Sequence, residues 1–299
     1  MKQLIVLWNG FDLSCGLKSS YSDFFLQRFS ELFCDGKSKN FEEMEEILEK
    51  KQNIILKESR EMVHDPCFRN GCDCFKEYFE RWCGKTTFNR WDVFFLFSQL
   101  CIGKDVKLYE WQDVESVIYE VISIALLPYF RGGSKISYKE NLIIDNRRFD
   151  GRRIFEEIVK YVSQTEKKND IVGIATELLN ELKKFETIFA QFIEEQFELT
   201  RDNSYINRAV DLLQDISRGS TYMQGNTKNI NQIDVLSFNY SLDENFRKVI
   251  KDSRINSWSN IHGVASFKIP NAIKDKTDYN RDLGLQAPIF GVDNHDIVN

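Results

Sequence analysis

An α/β fold, built on a parallel sheet and interrupted by a long helical insertion, is predicted by three observations. The first is Leu4-Ile-Val-Leu-Trp8 followed by Asn9-Gly10. This apolar run reads as a fully buried strand entering a tight turn, with a helical pattern from Tyr21 onward. The second is Ile233-Asp-Val-Leu-Ser237-Phe-Asn239-Tyr240-Ser241, another apolar strand that ends in a polar cluster and leads into a helical pattern. The third is the long interval between them, which carries apolar residues at helical spacing. In such folds ligands gather beyond the carboxyl ends of the parallel strands, where glycines let the backbone approach a phosphate. The two strand ends and the turn Asn260-Ile-His262-Gly263 are therefore expected to converge on one cleft.

The elements follow in order. Residues 21–34 place Tyr21, Phe24, Phe25, Phe29, Leu32 and Phe33 at helical spacing, and residues 41–62 repeat the pattern in an acidic setting with Phe41, Met44, Ile47, Leu48, Ile54 and Ile55. Residues 63–90 form an aromatic, cysteine-rich connection, and 91–103 form an apolar run too short to span a membrane. Trp111-Gln-Asp113-Val-Glu115 opens a helix through about residue 127, stopped by Pro128, with Asp113 complementing the dipole of its first turn. Asn141-Leu-Ile-Ile-Asp145 is a weak strand candidate.

Residues 171–199 give the longest helical signal. Their stripe of Leu178, Leu182, Phe185, Phe189 and Phe192 is a packing seam, and its three phenylalanines are expected to share one core. A polar loop over 217–232 then leads to the second strand. The organisation expected is an α/β frame of residues 1–35 and 230–299 around a mainly helical insertion of residues 36–229, with room in the insertion for further strands.

A chain of 299 residues can bury a full core. With 40 basic and 46 acidic residues its net charge is −6, which argues against broad binding to nucleic acid. Arg147-Arg148 and Arg152-Arg153 read as a solvated surface loop. There is no run of about 18 apolar residues to cross a bilayer, and the apolar stretch Leu4–Trp8 is too short for a signal-peptide core. No membrane partner and a cytoplasmic location are expected. Seven cysteines without a secretory signal are expected to be reduced. Cys67, Cys72, Cys74 and Cys83, with His64 upstream, are irregularly spaced and contain no CxxC pair, so unliganded thiols are favoured over zinc and no metal is expected. His64 and His295 have no motif support.

The opening segment resembles the Gly-Asn-Gly-Phe-Asp-Leu signature of the AbiH family of bacterial abortive-infection proteins. The match runs through Asn9, Gly10, Phe11, Asp12, Leu13, Gly16, Leu17, Tyr21, Asp23 and Phe24. Further family features follow in order: Trp111-x-Asp113-x-Glu115, Ser237-Phe-Asn239-Tyr240, Ile261-His262-Gly263 and Ile289-Phe-Gly291-Val-Asp293. The resemblance implies antiphage defence by abortive infection. A more distant likeness, in the order of Asn-Gly elbow, strand-end Asn and His-Gly, is to sirtuin-type NAD-binding proteins and their NAD-hydrolysing defence relatives. It implies a Rossmann-like, sirtuin-like sheet. Two positions depart from the pattern: Trp8 stands in place of the first family glycine, and Cys15 stands where the family often has histidine.

Carried over residue by residue, the resemblance makes Asn239 and His262 the catalytic pair of an NAD glycohydrolase-like hydrolase. It makes Asn9, Gly10, Phe11, Asp12, Gly16, Tyr240 and Gly263 the nucleotide contacts. Histidine titrates near neutrality, which suits His262 to proton transfer, although a hydrogen-bonded turn histidine is the plain alternative. Asn239 as a turn former and Asp12 as a helix cap also stay open. A carboxylate would repel a pyrophosphate, so Asp12 is expected nearer a ribose hydroxyl. No tightly bound cofactor is expected, NAD or a related nucleotide being substrate or ligand, and a phage protein is the expected trigger. The competing reading is a non-catalytic nucleotide- or phage-sensing module that signals through the helical insertion, which Trp8 favours.

Overall fold

The computed structural model describes residues 2–34, 36, 40–63, 88–101, 111–126, 142–144, 147–149, 158, 171–200, 204–222, 232–242, 246–250, 252–261 and 265. Among these residues the fold is mixed α/β, mostly helical, with a small parallel sheet. The chain divides into two compact units, one of Met1–Ser20 with Glu186–Gly291 and the other of Tyr21–Phe185 with Val292–Asn299. We call them the sheet unit and the helical unit.

In the sheet unit, β1 (Lys2–Leu7) leads into the short helix α1 (Asn9–Ser14). Later in the chain come α7 (Ser204–Tyr222), β4 (Gln232–Ser237), α8 (Phe246–Ile250) and β5 (Ile255–Asn260). The sheet order is β1-β4-β5, all parallel, with Leu7 opposite Ser237 and Ser237 opposite Asn260. The three carboxyl ends are therefore level. One face of the sheet is the core: Ile5, Leu7, Ile233, Val235, Ile255 and Trp258 pack with Tyr205, Ala209 and Leu213 of α7 and with Phe246 and Ile250 of α8. Tyr205, Ala209 and Leu213 recur every four residues, which aligns them on one helical face.

Three expectations need correction here. β1 is half-buried rather than fully buried, since Leu4 and Val6 are 62% and 40% exposed while Ile5 and Leu7 are buried; among the described residues it is an edge strand with one core face. Asn9-Gly10 is not a tight turn but the first turn of α1, entered from Trp8 in extended backbone. Residues 217–222, read as loop, continue helix α7.

The helical unit contains α2 (Tyr21–Phe33), α3 (Phe41–Val63), α4 (Arg90–Cys101), α5 (Trp111–Leu126), and a hairpin of β2 (Leu142–Ile144) and β3 (Arg147–Phe149). Asn40 begins α3 by accepting the Glu43 amide on Oδ1 at 2.9 Å. Asn89 begins α4 in a reciprocal box: its Oδ1 accepts the Trp91 amide, and its own amide donates to Asp92 Oδ2. The apolar run at 91–103 is thus a helix, with Trp91 through Phe97 fully buried. The candidate strand at 141–145 pairs antiparallel with β3 and stays outside the parallel sheet. Arg147 and Arg148 accordingly lie in a strand, not a loop.

The long helix α6 (Ile171–Leu199) carries the phenylalanine stripe, and the division between units falls within it after Phe185. Phe185 packs on Phe24, Phe25 and Phe95, with the Arg28 guanidinium over its ring. Phe189 packs on Phe192 and edge-on against Tyr240. The stripe is buried as expected.

Candidate functional site

The carboxyl ends of β1 and β4 carry the polar residues singled out in the sequence. After β1, α1 spans only six residues and closes with paired bonds: the Gly16 amide donates to the Leu13 carbonyl, and the Leu17 amide to the Asp12 carbonyl, each at 3.0 Å. Gly16 sits at φ +89°, which only glycine adopts without strain, so its identity has a local cause. A Cβ there would also stand 2.9 Å from Arg208 Nη1. Gly10 differs, because its backbone is unexceptional and a Cβ would meet nothing within 4 Å. Asn9 Oδ1 accepts the Ser19 hydroxyl at 2.9 Å, which fixes the elbow to the chain that leaves it.

Asp12 faces inward and is fully buried. The Tyr205 hydroxyl, from α7, reaches its Oδ1 at 2.7 Å; the Ser241 hydroxyl, two residues past Asn239, reaches the same oxygen at 2.6 Å. The two hydroxyls lie 2.8 Å apart. Oδ2 of Asp12 is buried without a hydrogen-bond partner among the described residues. Burial pushes the Asp12 carboxyl up to about 6, the hydrogen bonds from Ser241 and Tyr205 pulling partly back. The neighbouring Cys15 thiol is pushed up to about 11, first by burial and then by the Asp12 charge, with Arg208 opposing. The Tyr205 phenol is held well above its usual value, mainly by burial.

After β4 the backbone of Asn239 is clamped. Its amide donates to Ser237 Oγ at 3.2 Å, and its carbonyl accepts from Asn260 Nδ2, which also holds the Leu242 carbonyl. Its side chain is 1% exposed, yet neither Oδ1 nor Nδ2 has a hydrogen-bond partner among the described residues. A buried primary amide without hydrogen bonds costs on the order of 1–3 kcal/mol, so a polar ligand group at this place would relieve a standing deficit. The Ile261 amide donates to the Ser237 carbonyl, bringing the end of β5 beside β4. His262 and Gly263 lie outside the described residues.

The other expected contacts have core positions. Phe11 belongs to the sheet core, and Tyr240 is buried with its ring edge-on to Phe189. Trp8, the departure from the family pattern, is 58% exposed and stacks on Phe238 at 4.3 Å between ring centroids. Tyr205 and Arg208 were not singled out from the sequence, and Ser241 and Asn260 entered only as members of the strand-end cluster and the His-Gly turn. The cap-like Ser204 followed by Tyr205, Ala209 and Leu213 would have revealed α7, but the meeting of Tyr205 with Asp12 is a tertiary event that no local pattern encodes.

In the helical unit, burial pushes Glu115 up to about 7. The side chain of Asp113 lies outside the described residues, as do Cys67, Cys72, Cys74, Cys83, His64 and His295. Among the described residues no group of three or more His, Cys, Asp or Glu is placed to hold a metal, Cys15 and Cys34 form no disulfide, and no helix is long and apolar enough to cross a membrane. Comparison with known proteins finds no matching family model, no matching curated protein and no matching solved structure.

Proposed function

We propose that the sheet unit is a Rossmann-like nucleotide-binding frame that hydrolyses NAD or a related nucleotide, in the cytoplasm, as the effector of abortive infection triggered by a phage protein. The observation that carries the reading is the side chain of Asn239: buried, rigidly clamped through its backbone, and without a hydrogen-bond partner at the carboxyl end of the central strand. That is where nucleotides bind in open parallel sheets. The open space over Gly10 supports close approach of a ligand to the elbow.

In the proposed reaction the bond between the ribose C1′ and the nicotinamide nitrogen breaks, and its electron pair leaves with nicotinamide. Water forms the new bond to C1′ and yields its proton to His262, while Asn239 holds the ribose or the water. A second reading, binding without turnover, draws on Trp8, whose indole occupies the family's glycine position. Incubation of purified protein with NAD, with and without infected-cell extract, separates the two. Nicotinamide and ADP-ribose released by wild-type protein and not by Asn239→Ala support hydrolysis. Retained binding without product in every condition supports the sensing module.

A further inference from the structure

Three oxygens, Asp12 Oδ1, Tyr205 Oη and Ser241 Oγ, stand at the corners of a triangle with sides of 2.6, 2.7 and 2.8 Å. Every side is of hydrogen-bond length, so every side calls for one hydrogen. The two hydroxyls supply two. If both point at an ionised Asp12, the Tyr205 and Ser241 oxygens face each other at 2.8 Å with only lone pairs between them. Turning one hydroxyl toward the other moves the empty side to Asp12, where a carboxylate has no hydrogen to offer. A third hydrogen, on Oδ1 of Asp12, closes the ring: Asp12 donates to Ser241, Ser241 to Tyr205 and Tyr205 to Asp12. Oδ2 is then a carbonyl oxygen, for which a buried position with no hydrogen-bond partner among the described residues costs far less than for a carboxylate.

The three corners belong to three parts of the sheet unit: Asp12 to α1, Tyr205 to α7, and Ser241 to the segment that leaves β4. That segment is gripped from the β5 side through its backbone, by Asn260 Nδ2 on the Asn239 and Leu242 carbonyls and by the Ala265 amide on the Tyr240 carbonyl. Ser241 Oγ carries a second grip, toward α1 and α7. Among the described residues, the titratable groups that feel the Asp12 charge are Cys15 on α1 and Tyr205 on α7, with Arg208 of α7 acting in turn on Cys15. Burial raises both Cys15 and Tyr205, which keeps them neutral at and below neutral pH, and an arginine keeps its charge throughout. Asp12 is therefore the member of this set whose charge changes.

We infer that the ring is a proton latch: with Asp12 protonated, Ser241 ties the segment after β4 to α1 and α7, and loss of that one proton opens a side of the triangle and loosens residues 238–242. Burial sets the working range, since it lifts the Asp12 carboxyl from 3.8 to about 6. A raised carboxyl is protonated below that value, so the latch is closed in acid and opens as pH rises through it. Asn239 lies two residues before Ser241, so the latch governs how firmly its buried side chain is carried. The latch does not require the nucleotide-binding reading, and its test uses no ligand.

Infrared difference spectroscopy of the full chain between pH 5 and pH 8, wild type against Asp12→Asn, reads the proton directly. The carbonyl band of a buried carboxylic acid is expected in wild type at pH 5, absent from Asp12→Asn, and lost from wild type by pH 8. Amide hydrogen exchange over residues 238–242, corrected for the intrinsic effect of pH, reads the latch. It is expected to speed up about tenfold in wild type across this range. An asparagine fills all three sides at any pH by donating its two amide hydrogens to the two hydroxyl oxygens, so Asp12→Asn is expected to exchange slowly with a flat profile. Ser241→Ala cuts the segment from the ring and is expected to exchange fast at both pH values. Circular dichroism of each variant establishes that it is folded. No acid band in wild type at pH 5, or the same band in Asp12→Asn, overturns the stored proton. Exchange in wild type that does not change with pH, or an equal acceleration in folded Asp12→Asn, overturns the latch. If Asp12→Asn does not fold, Ser241→Ala decides: protection equal to wild type at pH 5 overturns the latch, and lost protection supports it.

Discussion

Tyr205 and Asp12 stand 193 positions apart in sequence and meet at 2.7 Å, the phenol of one helix against the buried carboxyl of another. Tyr205→Phe removes this hydroxyl with little change of volume. It is expected to cost about 1–2 kcal/mol of stability in urea unfolding, because Asp12 keeps only the Ser241 hydroxyl. An unchanged midpoint would show that the bond contributes nothing.

The same carboxyl predicts a pH dependence of stability. Burial raises Asp12 from 3.8 to about 6, so the folded chain binds this proton more tightly than the unfolded chain between those values. Stability is therefore lost as pH rises through the window and the deficit is complete above it, at about 3 kcal/mol. Asp12→Asn carries no such charge. Its stability relative to wild type should rise from pH 4 to pH 7, measured by urea unfolding at each pH; a difference that stays constant contradicts the buried titration.

Gly10 and Gly16 should respond in opposite ways. Gly10→Ala, in a helix with open space around it, is expected to be neutral or to gain up to about 1 kcal/mol while weakening nucleotide binding. Gly16→Ala, at φ +89° against Arg208, is expected to lose about 1–2 kcal/mol. Thermal unfolding beside NAD titration reads both.

In the helical unit, Arg28 and Asp92 form a buried pair with bonds of 2.5 and 2.6 Å. Asp92→Ala strips both of these bonds from the buried guanidinium and is expected to cost about 3–5 kcal/mol. The double replacement Arg28→Met with Asp92→Leu should recover most of that loss. If the single variant unfolds like wild type, the pair is not the structural element its burial implies.

Replacing His262 or Asn239 by alanine is expected to abolish phage protection and nucleotide cleavage while thermal unfolding is nearly unchanged. For Asn239 the expectation has a direct structural basis, since its side chain makes no hydrogen bond that could be lost. Full protection by folded His262→Ala would remove histidine from the reaction.

The parts legible in the sequence were those with strong local periodicity. β4 announced itself through Ile233, Val235 and Ser237 on one face, and α2, α3 and α6 through their phenylalanine and leucine spacing. β5 was missed because Ile255-Asn-Ser-Trp258-Ser-Asn is polar except at its buried positions, and its strand character comes from pairing with β4 rather than from propensity. Asp12 and Asn239 could be singled out because they follow apolar runs. Their partners could not, because Tyr205, Ser241 and Asn260 reach them through the packing of α7 and the loop between β4 and β5.

β1 is synthesised long before its sheet neighbour β4. Among the described residues Lys2–Leu7 pairs with Gln232–Ser237, and Asp12 must wait for a serine 229 positions downstream. At roughly 5–20 residues per second on the ribosome, β1 spends on the order of ten seconds or more with its Ile5 and Leu7 side chains not yet covered by β4 and α7, which makes it a natural client for chaperones. The same ordering has a protective side. A nascent or prematurely terminated polypeptide that ends before Ser241 cannot assemble the Asp12 ring or the clamped Asn239. Under the proposed activity, translation itself becomes the safety catch: an unfinished copy is unable to drain the nucleotide pool of the cell still making it.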